Sequence, residues 1–84
     1  MYKMKLKFEV VYSLFPKEVT DLLALLGIQE ETETTEYSFV QEIPFIPDQG
    51  LIHKYEGAVK KGFENAGNNI ISVKFNGYEY LWKI

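Results

Sequence analysis

His53 is the only histidine in this sequence. A histidine acts as general base only with a nucleophile to activate and an acid to orient it. Its place on an expected helix turns it toward solvent, so it reads as a surface residue. With no cysteine there is no thiolate nucleophile, no disulfide framework and no Cys zinc site. A phosphate-binding glycine loop, a Ser/His/Asp arrangement and a dinucleotide fingerprint are also missing from the sequence. Catalytic, cofactor and metal sites are therefore not expected, and the chain reads as non-enzymatic.

Other clusters suit binding. Lys3, Lys5 and Lys7 alternate along one segment, which would set three cations on one strand face as a phosphate-contacting stripe. The same pattern is the wet side of an amphipathic strand, or an edge strand guarded by lysine. Glu30, Glu31, Glu33 and Glu36 form an acidic run. They could meet a basic protein surface, but no shaped cation-binding loop surrounds them. Tyr37, Phe39, Phe75, Tyr78, Tyr80 and Trp82 could line a pocket or stack bases; under two helices they are simply core. Val40, Ile70 and Leu81 are apolar residues expected on an outer sheet face, where together they would make a patch for a partner. Phe45 and Ile46, between Pro44 and Pro47, either cap the core or form an exposed lip. Leu22–Leu26 matches Leu-x-x-Leu-Leu and Pro44–Pro47 matches Pro-x-x-Pro, both too short to carry a function.

The elements that must position these residues follow from periodicity. From Tyr2 to Tyr12 the even positions are apolar and Lys3, Lys5, Lys7 and Glu9 fall on the other side, which is a strand with one wet face. Pro16 to Leu26 reads as a helix whose buried stripe is Val19, Leu22, Leu23 and Leu26, with Leu25 on its flank. Gly27 is its expected C′ residue, followed by Ile28, as in a Schellman end. A strand over about 34–43 sets Tyr37, Phe39 and Ile43 against Glu36, Ser38, Val40 and Glu42, with Gln41 interrupting the apolar side. Asp48 is the expected N-cap of a second helix, about Gln49 to Ala66. Its stripe is Ile52, Tyr55, Val59, Gly62, Phe63 and Ala66, and Gly62 would allow close approach to the sheet. Glu56 and Lys60 are spaced as an i,i+4 pair. Asn76-Gly77 between alternating apolar runs is a strong type I′ hairpin signal. It would set Ile71, Val73 and Phe75 against Trp82, Tyr80 and Tyr78 on the apolar face.

These pieces predict one α+β domain over residues 1–84, in the order β-α-β-α-β-β. It would be a two-layer sandwich, a four-stranded mixed sheet with both helices on one face. A chain this short buries roughly 60% of its unfolded surface. No stretch reaches the length of a membrane span, and residues 1–12 lack the apolar run of a signal peptide. The absence of cysteine fits a reducing compartment, so a cytoplasmic protein with no membrane partner is expected.

The formal charge of −3, with nine lysines and no arginine, disfavours nucleic acid as partner. The leading expectation is a small protein-binding domain: an inhibitor, adaptor or assembly factor. Its contact residues would come from Glu30, Glu31, Glu33, Glu36, Val40, Phe45, Ile46, Ile70 and Leu81. Such small stand-alone proteins are common on phages and other mobile elements, which makes that source an expectation. The alternatives are a nucleic-acid-binding module using Lys3, Lys5 and Lys7, and a homo-oligomeric structural protein.

Overall fold

The computed structural model describes residues 2–83, apart from the side chains of Trp82 and Lys83. The elements are β1 (Tyr2–Ser13), α1 (Lys17–Leu25), β2 (Thr32–Ile43), α2 (Gln49–Asn65) and β3 (Asn69–Lys83). They form an α+β fold with one three-stranded sheet in the order β2-β1-β3. The most strictly alternating segment of the sequence, β1, takes the centre. Its Met4, Leu6, Phe8 and Val10 are the most deeply buried large side chains among the described residues. Around them pack Ile43, Val59 and Ile70, then Phe39, Tyr55, Phe63, Val73 and Phe75. Phe8 is the hub: it stacks on Phe39 (centroids 5.7 Å, planes 7° apart) and meets Phe75 edge-on at 5.6 Å.

Both neighbours of β1 run antiparallel to it. The β1–β2 pair is hairpin-like, in register from Tyr2↔Ile43 to Ser13↔Thr32, with α1 in its connection. β2 has the two faces its alternation implies. Tyr37, Phe39 and Ile43 lie opposite Phe8, Leu6 and Tyr2, while Glu36, Ser38, Val40 and Glu42 lie opposite Glu9, Lys7, Lys5 and Lys3.

Three expectations need correction. The sheet has three strands where four are expected, and it is antiparallel where a mixed sheet is expected. Asn76-Gly77 does not reverse the chain. β3 runs straight through it, from Asn69 opposite Ser13 to Lys83 opposite Tyr2. A type I′ turn needs positive φ at both central residues, and Gly77 (φ +100°) has it while no described non-glycine residue does. The dipeptide is instead a β-bulge, two residues between the partners of Leu6 and Phe8. Folding back at Asn76 would have left the Tyr2–Lys7 half of that side of β1 without ladder partners, and buried backbone groups are rarely left so.

Two more irregularities, at Ile71 and Leu81, bring the length of β3 to 15 residues against 12 in β1. Each extra residue flips which face the chain presents. Ile70, not Ile71, therefore faces the core, opposite Tyr12. Trp82 pairs with Lys3; its side chain, expected on the apolar face, lies outside the described residues.

The helices are punctuated as the sequence implies. Asp48 accepts a hydrogen bond from the Leu51 amide at 2.8 Å, an N-cap bond. Both helices close in Schellman geometry. Ile28 and Gly27 amides donate to the Leu23 and Ala24 carbonyls, and Asn68 and Gly67 amides to those of Phe63 and Glu64, with Gly27 and Gly67 at positive φ. Their packing differs. α2 lies on the sheet, burying Val59 and setting Tyr55 and Phe63 edge-on to Phe39 and Tyr37 at 5.7 and 5.3 Å. No residue of α1 is buried. The expected layer of two helices is thus one helix, with α1 held at the Ser13–Thr32 end of the sheet. The molecule measures 54 × 21 × 17 Å with a Cα radius of gyration of 15.7 Å, against about 12 Å for a compact chain of this length.

Candidate protein-interaction site

α1 and the residues that flank it carry the most exposed apolar surface among the described residues. Leu25 is 86% and Leu26 64% exposed, and Leu14, Val19, Leu22 and Ile28 are open as well. The exposed fractions of these six equal more than three complete aliphatic side chains. Each fully buried side chain of this kind contributes ~1.5–3 kcal/mol, so ~5–10 kcal/mol of burial is left unused. That is comparable with the whole stability of an 84-residue domain, ~4–13 kcal/mol.

α1 does not fold down onto the sheet because its base is tied where it is. The Asn69 side-chain amide donates to the Phe15 carbonyl (3.1 Å) and to the Thr20 hydroxyl (3.3 Å). The Leu14 amide donates to the Glu31 carbonyl at 3.0 Å. The Ser13 hydroxyl accepts from the Phe15 amide at 3.1 Å.

A second apolar surface lies beside α2. Because α2 alone covers the sheet, a groove of about 560 Å³ opens between it and β2. Tyr37 and Phe39 line its β2 side, and Tyr55, Phe63 and the small residues Ala58, Gly62 and Ala66 line its α2 side. Gly62 is not a close-approach glycine: a Cβ there would meet nothing within 4 Å. It widens the groove instead. Lys54 and Lys61 flank Ala58 at i−4 and i+3 along α2, and both are exposed.

On the other flank of α2, Glu56 fixes the helix to β3. Its carboxylate accepts from the Phe75 amide at 2.7 Å and lies 3.1 Å from His53 Nδ1. Glu56 therefore engages His53 and a strand edge rather than Lys60. His53 is exposed, as expected.

The residues singled out from sequence are scattered. Lys3, Lys5 and Lys7 share the outer face of β1, but Lys3 is paired in register with Glu42 and Lys5 with Glu79. The acidic run is split by the strand that carries it. Glu33 shares the core side with Tyr12 and accepts its hydroxyl at 2.8 Å, and Glu36 lies on the outer face opposite Glu9. That bond, then partial desolvation and the Glu33 charge, raise the Tyr12 phenol above its usual 10.0. Glu31 is exposed and Glu30 half-buried.

The outer patch does not assemble. Ile70 is core at 8% exposure, while Val40 and Leu81 are exposed on strands that flank β1 on opposite sides. Phe45 and Ile46 form the exposed lip. Among the described residues no three His, Asp or Glu side chains are grouped to hold a metal ion, and no helix is long and apolar enough to cross a membrane. Compared with protein-family models, curated proteins and solved structures, the chain matches none.

The groove had a sequence signal, Ala58, Gly62 and Ala66 at four-residue spacing. The exposure of α1 had none, since its stripe looks like any core-facing stripe.

Proposed function

We propose that this chain is a small non-enzymatic protein-binding domain, acting in the cytoplasm as an inhibitor, adaptor or assembly factor. One observation supports this above the rest: α1 presents a leucine-rich apolar surface that none of the described residues covers. Apolar patches of several hundred Å² on small proteins mark interaction sites. The nucleic-acid reading is weaker, since Lys3 and Lys5 have Glu42 and Glu79 as register partners. A phage or other mobile element remains a fitting source.

The test is affinity capture from the native host's lysate, with and without nuclease, comparing the wild type with Leu25→Glu. A stoichiometric protein that survives nuclease and is lost with the variant is the expected result; the chain's own untagged copy would count. Recovery that depends on nucleic acid would transfer the function to the lysine stripe.

A further inference from the structure

We infer that the partner fitted by this surface is a second copy of the same chain, with α1 of each protomer seated in the α2–β2 groove of the other. The inference rests on the protein-binding reading above and narrows it to one occupant.

Three observations lead there. First, two of the uncovered apolar surfaces among the described residues have opposite shapes. One is a ridge (Val19, Leu22, Leu25 and Leu26) and the other a groove floored by Tyr37 and Phe39. The ties from Asn69 to Phe15 and Thr20 hold the ridge away from the groove of its own chain, so contact within one molecule would cost those bonds.

Second, the charges match. Glu18 and Asp21 lie beside the leucines on α1, and the exposed Lys54 and Lys61 flank Ala58 of the groove wall at i−4 and i+3 on α2. An acidic ridge meeting these lysines favours this orientation and speeds encounter.

Third, the area suits a weak pair. At ~25 cal/mol per Å², the exposed aliphatic surface of one α1 with its flanking Leu14, Leu26 and Ile28 amounts to about 200–400 Å². A reciprocal pair buries two ridges and the smaller open floors of two grooves, roughly 600–1,000 Å² in all, the size of weak, transient interfaces below ~1,200 Å². A two-fold axis makes every contact twice, as isologous dimers do. The wall of Ala58, Gly62 and Ala66 lets the incoming helix approach α2 closely, in the one direction where a Cβ on Gly62 meets nothing.

The experiment is sedimentation equilibrium of the full chain from micromolar to millimolar concentration. Two variants are compared with the wild type: the double change Leu22→Gln/Leu26→Gln, and Gly62→Trp. Glutamine keeps the helix propensity of leucine, both leucines are exposed, and position 62 is open. Circular dichroism should therefore match the wild type in both.

The wild type should reach twice the monomer mass, and each variant should weaken the pair at least ~30-fold, the effect of losing a hot spot. Mixing the two variants should give a heteropair tighter than either homodimer, because one intact ridge then meets one intact groove. A wild type that stays monomeric throughout overturns the inference, as does a dimer unaffected by both variants. Should either variant misfold, Lys54→Glu/Lys61→Glu takes its place, and an unchanged dimer in that variant overturns the charge match. A monomeric wild type that still captures a different protein through Leu25 would leave the protein-binding reading standing without the second copy.

Discussion

Two hydrogen bonds carry consequences at the level of single residues. Tyr12 donates to Glu33 at 2.8 Å, and this holds its phenol protonated above the usual 10.0. A group whose folded-state pKa is raised contributes stability that is complete below its unfolded pKa and lost as pH climbs through the folded one. The contribution of Tyr12 should thus be intact at neutral pH and disappear only in alkaline solution. Glu33→Gln removes the negative charge, so the Tyr12 titration, followed by NMR of labelled tyrosine, should move back toward 10. A titration unmoved by Glu33→Gln would show that the bond does not form in solution. Glu56 accepts from the Phe75 amide at 2.7 Å, a charge-assisted bond on the half-buried flank of α2. Glu56→Ala should destabilise the fold by about 1–2 kcal/mol in urea titration, and Glu56→Gln, which keeps an acceptor, by less.

Among the elements, β1, β2 and α2 were legible in the sequence. The alternation of Met4, Leu6, Phe8 and Val10, the Asp48 cap and the Gly27 end are local signals with one reading each. Asn76-Gly77 was misleading because a glycine at positive φ serves a type I′ turn and a bulge equally well. What decides between them is β1, almost seventy residues away in sequence, which needs a partner along its full length. The Ile70 error has the same origin, since an extra residue at Ile71 inverts a face that strict alternation assigns the other way.

The two glycines give opposite predictions. Gly77 sits at φ +100°, so Gly77→Ala should cost roughly 1–2 kcal/mol. Gly62 lies inside a helix with open space around it, so Gly62→Ala should stabilise by about 1 kcal/mol. Thermal melts of the two variants side by side check both signs, and equal shifts would refute the bulge assignment.

The whole molecule has one core, and β1 is its spine. Phe8 touches both flanking strands through Phe39 and Phe75, so no part of the sheet survives its loss independently. Phe8→Ala should cost about 3–5 kcal/mol, a large share of the ~4–13 kcal/mol expected in total. Denaturant unfolding should show one transition moved to much lower midpoint; two separate transitions would mean the elongated shape hides two units. That shape was not legible from sequence. Each helix stripe promised burial, and only the three-dimensional path of the chain shows that α2 reaches the sheet while α1 stands at its end.

The three bulges of β3 also say something about how this strand can change length. Ile71, the Asn76-Gly77 pair and Leu81 each hold one residue more than β1 requires. Removing one residue from any of these places leaves a strand whose neighbours still alternate correctly, Phe75 and Tyr78 for instance becoming ordinary next-but-one residues on the core face. A deletion anywhere in β1 would instead invert Met4, Leu6, Phe8 or Val10 against both partners at once. Across any lineage that carries this domain, gaps should collect at those three positions of the last strand and stay out of the first.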